Sequence, residues 1–334
     1  MSEPLLLEVE DLAVEFPRTH DEPIRPVRSI SLALRRGERL GLVGESGSGK
    51  SLTALALMRL IRPPGVIRGR VRLDGEDLVP LSAREMAKVR AGRMSMIYQD
   101  PMSSLNPVFT VGRQIAEAVR IAGKGDKAQA WRRAIDLLGE VGVPDPARRV
   151  DSYPHEFSGG MRQRVMIAMA LASDPELLIA DEPTTALDVT TQARVIDLMS
   201  RIVADRGLAV ILITHDLGIA ARFCDRVDVM YAGRIVEDAP VDDLYDRPLH
   251  PYAEALLRSV CLLDMDVTRP MTAIDGQPPL PQRLPGGCAF HPRCPYAQDV
   301  CREAAPPIER IDGRVAECHF ARDRAAAPLQ EAAG

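Results

Sequence analysis

"RLGLVGESGSGKSLTALALMRLI", residues Arg39 to Ile61, decides the fold. Its opening, "RLGLVG", is a short apolar run of the kind that fills a buried strand of a parallel sheet. Its end, "SLTALALMRLI", is rich in strong helix formers. Between them "GESGSGKS", Gly44 to Ser51, fits G-x-x-x-x-G-K-S at a strand-to-helix junction, the one context in which that pattern has a mechanism. Gly44, Ser46, Gly47 and Gly49 let backbone N–H groups wrap a phosphate, Lys50 adds a point charge, and Ser51 offers a hydroxyl to Mg2+ at the positive end of the helix. A flexible Gly/Ser linker shares the composition but needs neither the strand before nor the helix after. The stretch predicts a loop for a nucleoside triphosphate in an α/β fold.

Working outward, residues 5–16 ("LLLEVEDLAVEF") and 28–35 ("RSISLALR") alternate with a period of two and read as antiparallel strands joined by a polar, proline-containing loop. "ELLIAD" at Glu176 and "LAVILITH" at Leu208 are two more buried strands. Between them and the first, roughly residues 85–175 carry a mostly helical pattern and predict a helical insert. Near Leu249 the composition shifts. "LHPYAEALLRSV" reads as one last helix, and ten prolines fall between Pro270 and Pro328, a tail with too few large apolar residues for a core of its own. No internal repeat is seen, so there is one copy of the phosphate-binding unit.

The strand at Leu177 ends in Asp181-Glu182. One carboxylate there can hold Mg2+ through water while the next polarises an attacking water, and phosphoryl transfer to water needs both. An acidic pair before Pro183 is by itself a common turn; a phosphate loop in the same chain favours the catalytic reading. "SGGMRQR" at Ser158 opens a further helix, so Ser158, Gly159 and Gly160 form a second anion site that a single phosphate loop does not require.

Bulk properties exclude several classes. An apolar content of 46% over 334 residues fills a sizeable core. The formal charge of -5 and a pI near 5.8, with both signs interspersed, leave no footprint for nucleic acid. No apolar run approaches a membrane span, and the start lacks the pattern of a signal peptide, so a cytoplasmic location is expected. Thiols stay reduced there, which argues against disulfides among Cys288, Cys294, Cys301 and Cys318. Their separations of five, six and sixteen residues match neither the short pairs of common zinc sites nor ferredoxin spacings. Four thiolates can hold Zn2+ or an iron–sulfur cluster, or remain free, and the spacing leaves these open. His291 and His319 are candidate replacements for a cysteine in the zinc reading. Cys224 and Cys261 are simpler as small apolar residues, Met166 and Met169 as helical core; Trp131 and His20 have no constellation around them, and His155, two residues before Phe157, reads as a surface histidine rather than one that orients the signature loop.

The Ser-Gly-Gly element between phosphate loop and acidic strand resembles the signature motif of ATP-binding cassette (ABC) proteins. In that family it meets the γ-phosphate held by the opposite subunit. The resemblance makes Gln99 in "MIYQDP" the Q-loop glutamine and a Mg2+ contact with Ser51 and Asp181, "ALD" at Ala186 to Asp188 the D-loop, and His215 in "ITHD" the switch histidine. Phe16 becomes the aromatic expected to stack on adenine, and Glu182 the base. Phe157 and Met161 depart from the leucine and glutamine many cassettes carry there; Ser158 and both glycines are kept. Arg162 and Arg164 are read equally well as anion contacts or as solvated helix charges.

"YQDPMSSLNP", "HPYAEALL" at His250 and the four-cysteine tail together resemble the ATPases of oligopeptide/dipeptide/nickel importers, from Leu5 to about Phe320. The resemblance implies a P-loop ABC ATPase core over residues 1–248, with a mixed or parallel sheet, an N-terminal antiparallel β subdomain and a helical subdomain at about 100–175. A small Cys/Pro-rich extension follows at 249–334. It further implies an ATP- and Mg2+-dependent hydrolase that energises import of di- or oligopeptides, with nickel, glutathione, opines or sugars as alternative cargoes. A second, identical or related ATPase, two membrane permeases and an extracytoplasmic substrate-binding protein are the implied partners. Such a subunit sits on the cytoplasmic face of the membrane, and its tail is implied to hold a 4Fe-4S cluster, with Zn2+ as the alternative. A soluble ABC ATPase acting on nucleic acid or ribosomes is the rival, disfavoured by the acidic balance and the lone cassette.

Overall fold

The computed structural model describes residues 4–19, 21–99, 104–185, 187–259 and 274–326. They divide into two compact units. One comprises residues up to Leu7, Leu34–Glu38 and Leu73–Ile213, and the other Glu8–Ala33, Arg39–Arg72 and the chain from Thr214 onward. In chain order the strands are β1 (Leu5–Phe16), β2 (Ile24–Arg35), β3 (Arg39–Val43), β4 (Val66–Leu73), β5 (Glu76–Asp77) and β6 (Met94–Ile97). β7 (Leu177–Asp181), β8 (Ala209–Thr214), β9 (Arg226–Tyr231), β10 (Arg234–Pro240), β11 (Ile308–Ile311) and β12 (Arg314–Glu317) follow.

The unit that carries the phosphate loop is built on two sheets. In the first, β2, β1 and β4 are successive neighbours. The alternation along β1 breaks at Asp11, whose φ is 48°; its N–H donates to Ser31 Oγ at 3.0 Å, and its carboxylate accepts the Ser29 hydroxyl at 2.7 Å. Such an irregularity re-aims the residues on either side, and Leu12, Ala13 and Val14 are all buried. β2 begins four residues before the alternating run, at Ile24; it is outermost in its sheet, a place that tolerates Pro26.

The second sheet of this unit is mixed. β3 pairs parallel with β9, from Leu40 opposite Arg226 to Val43 opposite Val229. β9 and β10 are antiparallel, β10 takes β12 antiparallel with Glu237 opposite Ala316, and β12 folds back on β11. The hairpin turn is Asp312-Gly313, with φ of 48° and 81°, the two left-handed residues that a tight two-residue hairpin demands. The described residues of the C-terminal region therefore pack more than their composition indicates. Leu249, Ala316, Cys318 and Ala321 form a small buried cluster. Pro251–Arg258 is helical as expected but is not the last helix, because Asp299–Glu303 and Ala321–Ala326 follow it.

In the other unit β6, β7 and β8 run parallel, with Met94 opposite Leu177 and Leu177 opposite Ala209. Every residue of β7 and β8 is buried, which is why both read as unbroken apolar runs. The helices Val111–Ile121, Lys127–Glu140 and Gly159–Leu171 bury Val119, Leu137, Leu138, Val165 and Leu171. Thr110 caps the first by accepting the Arg113 N–H at 3.3 Å, and Asp126 caps the second by accepting from Ala128 and Gln129 at 2.9 and 2.8 Å. The stretch from 85 to 175 is not wholly helical, since β6 lies inside it. "MSMI" contains two methionines and a serine and carries little β propensity; its neighbour β7 makes it a strand.

Candidate functional site

The phosphate loop is shaped by close backbone approach. A Cβ on Gly44, at φ 152°, would lie 2.2 Å from the Met230 carbonyl oxygen of β9. One on Gly49, at φ 110°, would lie 2.7 Å from that of Pro26. Only glycine fits either place. Gly49 hands the chain to the helix Lys50–Leu57, and the buried Lys50 turns back over its own loop, its Nζ donating to the carbonyls of Gly44 at 2.7 Å and Glu45 at 2.9 Å. Ser51 is half-buried in the first helical turn. Phe16, at the end of β1, is also half-buried, with its ring edge beside Gly65.

Glu45, within the loop, was not singled out by the sequence. Its backbone N–H donates to the Tyr252 hydroxyl at 2.8 Å, and its carboxylate accepts both terminal nitrogens of Arg293 at 2.7 and 2.9 Å. A charged residue inside a glycine-rich phosphate loop is itself the signal that a partner exists, but nothing in the sequence names that partner.

In the other unit, β7 ends at the buried Asp181, and the next residue, Glu182, has a φ of 46°. A left-handed glutamate at a strand end is strained and persists where its surroundings fix it. Its N–H donates to Ile213 O at 2.9 Å; its Oε2 accepts the Gln99 amide at 3.0 Å and the Thr185 hydroxyl at 2.8 Å. The fold thus brings Gln99, expected at Mg2+, onto the carboxylate expected to act as base. Thr185 was missed, since a threonine three residues beyond an acidic pair carries no distinctive pattern.

Asp188 caps the helix Val189–Arg206, accepting the Thr191 N–H at 3.0 Å and hydroxyl at 2.7 Å. Those bonds from Thr191 hold its carboxyl below the usual carboxylate range. Ser158 begins the helix Gly159–Leu171, is exposed, and makes no capping bond with its hydroxyl. A Cβ on Gly160 would lie 2.6 Å from the Thr191 methyl, so the second glycine lets the signature helix approach the one after Asp188. Arg162 Nε and Arg164 Nη1 donate to the carbonyls of Pro154 and Val141 at 2.8 and 2.7 Å. His215 lies in the unit of the phosphate loop, exposed at the end of β8, and Asp216 after it caps the next helix through the Ile219 N–H at 3.2 Å. Ala186 of the D-loop, residues 100–103 of the segment after Gln99, His20 and Cys261 lie outside the described residues.

Cys288, Cys294, Cys301 and Cys318 line one cavity of about 260 Å³, beside His250 and Phe290. The Cys288 N–H donates to Cys301 O at 2.8 Å, fixing the first and third cysteine segments to each other. Burial pushes the Cys288 thiol up to about 11 and raises Cys294 and Cys318 as well, so the protein alone disfavours thiolates there. His291 and His319 each bring a ring nitrogen to 3.0 Å from a backbone carbonyl, of Cys288 and Ala304 respectively. Among the described residues no three His, Cys, Asp or Glu side chains are placed to hold one metal ion. No described helix is long and apolar enough to cross a membrane.

Comparison with known proteins is consistent along the chain. A family profile described as ABC transporter matches residues 27–185, and one described as oligopeptide/dipeptide transporter, C-terminal region, matches 236–301. The dipeptide transport ATP-binding protein DppD of Escherichia coli K12 is 47% identical over 325 residues, which span 97% of this chain and 99% of DppD. The oligopeptide transport ATP-binding protein OppD of Salmonella typhimurium LT2 is 49% identical over 315 residues, 94% of this chain and 93% of OppD. Among solved structures, the ATP-binding cassette MJ0796, a dimer in a post-hydrolysis state bound to ADP and Pi, matches with a TM-score of 0.63 at 25% identity. The match covers 70% of this chain and 98% of that one. CbiO1 of Clostridium perfringens, part of the ABC transporter complex cbiONQ, matches with a TM-score of 0.62 at 26% identity, over 73% and 91% of the two chains.

Proposed function

We infer the work of this chain from the family to which it belongs, the ATP-binding subunits of the oligopeptide/dipeptide ABC importers: it is a P-loop ABC ATPase that hydrolyses ATP to energise peptide import. The observation that carries this is similarity at nearly half of all positions over almost the full length of both chains, reaching through the C-terminal region.

The residue roles are our proposal. Lys50 exchanges the carbonyls of Gly44 and Glu45 for the β- and γ-phosphates, while the N–H groups from Ser46 to Ser51 cradle them. The donors available to Mg2+, a serine hydroxyl at Ser51, the Gln99 amide oxygen and the buried Asp181 carboxylate, are all oxygens, as that hard cation prefers. When bound, Mg2+ offsets charge on the phosphates. Glu182, fixed by Gln99 and Thr185, polarises the attacking water, and His215 completes the γ-phosphate surroundings. Phe16 stacks on adenine. Ser158, Gly159 and Gly160 present a helix N-terminus to the nucleotide of a second ATPase subunit, with Asp188 beside them; the uncapped, exposed Ser158 supports this reading. Residues 1–248 serve as the nucleotide-binding domain, with the helical subdomain at about 100–175, and 249–334 as the importer-type extension.

The partners are a second such ATPase, two permeases and an extracytoplasmic binding protein, which place the chain peripherally on the cytoplasmic face of the membrane. Di- or oligopeptides are the cargo. Uptake of a labelled peptide by cells carrying wild type or Lys50→Ala tests the whole reading: loss of uptake with normal protein level supports it, and unchanged uptake overturns it.

A 4Fe-4S cluster is proposed for the four cysteines. Their convergence on one cavity supports it, and a cluster, being larger than one ion, does not require ligands gathered about a point. It would act as an architectural pin. Iron and sulfide assays on anaerobically purified protein, with Cys294→Ser as control, test this. A colourless protein lacking both overturns it, whether zinc is present or not.

A further inference from the structure

The phosphate loop is held from outside at Glu45. Tyr252 lies in the helix after His250 and is fully buried; its hydroxyl accepts the Glu45 N–H at 2.8 Å. Arg293 follows His291-Pro292 and directly precedes Cys294. Its side chain is only 4% exposed, and its fork grips both oxygens of the Glu45 carboxylate at 2.7 and 2.9 Å. Arg293 is itself fixed, because its Nε donates to Asp275 O at 2.9 Å, and its guanidinium lies 5.8 Å from the Tyr231 ring centre and 5.9 Å from that of Phe290. Tyr231, Tyr252 and Phe290 pack on one another, with centroids 4.5 to 5.3 Å apart. One residue of the loop is thus secured by backbone and by side chain to a rigid aromatic wall. The same residue's carbonyl receives the Lys50 ammonium at 2.9 Å.

We propose that Arg293 and Tyr252 are positioning residues for ATP binding, acting through Glu45 to hold the phosphate loop in its binding form. A two-point hold on Glu45 lowers the ordering cost when phosphates replace the carbonyls under Lys50. A bidentate arginine–carboxylate pair sets direction as well as distance, which a single lysine bond does not. The Tyr252 bond takes up the Glu45 N–H, so the phosphate-cradling donors are those from Ser46 onward. The hold is made by Arg293 and Tyr252 of the tail, and it rests on the assignment of ATP to this loop.

The test is calorimetric titration of the purified full-length chain with ATP, alongside its melting temperature without nucleotide. Arg293→Gln and Glu45→Gln should each weaken ATP binding roughly tenfold, about 1.4 kcal/mol of binding free energy. The double variant should be no weaker than either single one, and Arg293→Lys should fall between. Tyr252→Phe should weaken binding too. Affinities within about twofold of wild type, or losses that add in the double variant, overturn the proposal. A role confined to stability would lower melting and leave affinity untouched, which also overturns it. If Arg293→Gln does not fold, Glu45→Gln and Tyr252→Phe decide the matter. If wild type itself binds no ATP, it is the assignment of the loop that fails.

Discussion

The Gln99 amide donates to the Glu182 carboxylate at 3.0 Å, and the Thr185 hydroxyl reaches the same oxygen at 2.8 Å. A base held by two donors is aimed before substrate arrives. Glu182→Gln should keep ATP binding and lower turnover by about 10²-fold or more, the usual worth of a positioned base. Gln99→Ala and Thr185→Ala should lower turnover by less, each leaving one donor in place. Phosphate release by the assembled transporter measures all three; wild-type turnover by Glu182→Gln would remove it from the mechanism.

Lys50 donates to two carbonyls of its own loop, so its removal has two effects. Lys50→Ala should weaken ATP binding at least tenfold, roughly the contribution of one charge-assisted contact. It should also cost about 1–3 kcal/mol of stability in the nucleotide-free chain, because two carbonyl acceptors lose a buried partner. Titration and urea unfolding of the same preparation report the two effects separately.

Glu237 lies buried in β10, its two oxygens accepting the N–H groups of Leu249 at 2.8 Å and His250 at 2.7 Å. Burial is the larger influence, and its carboxyl is pushed up to about 7. Between the ordinary value near 4.5 and about 7 the native chain holds a proton that the unfolded chain has released. The stabilisation is complete below that window and disappears as pH rises through about 7. The stability of wild type relative to Glu237→Gln should therefore fall between pH 5 and 8 by on the order of 1–3 kcal/mol. A pH-independent difference would contradict the assignment.

Cys224 is buried against Gly41, where an added Cβ would come within 3.1 Å of its sulfur. Burial pushes its thiol up to about 12. Native protein at pH 8 should leave Cys224 unlabelled by iodoacetamide, as peptide mapping would show, and denatured protein should label it fully. Gly41→Ala should destabilise by about 1–3 kcal/mol through overpacking against Cys224 and Val227. An alanine that costs nothing there would mean that the interior yields more than the packing implies.

Much of the fold and of the hydrolytic machinery is legible in local pattern. The loop from Gly44 to Ser51, β7 and β8 announce themselves because glycine sterics and complete burial each impose a residue type at every position. β6 is hidden, since "MSMI" becomes a strand only through a neighbour some eighty residues away. The Asp312-Gly313 hairpin has its signal in that dipeptide, set in a proline-rich stretch with few large apolar residues. The bonds from Arg293 and Tyr252 to Glu45 join positions more than two hundred residues apart, a separation at which one sequence holds no trace of the pairing.

The pairing of β12 with β10 has a consequence for solubility. Without the residues after Pro306, β10 would end its sheet as an open edge, with backbone donors and acceptors ready to template another chain. The strand that takes its place outermost, β11, is only four residues long and carries Glu309 and Arg310, features that discourage strand addition. A chain cut back to residue 248 would trade a blunted edge for a sticky one. The hairpin of β11 and β12 thus leaves the sheet a shorter and more charged edge than β10 alone would give it.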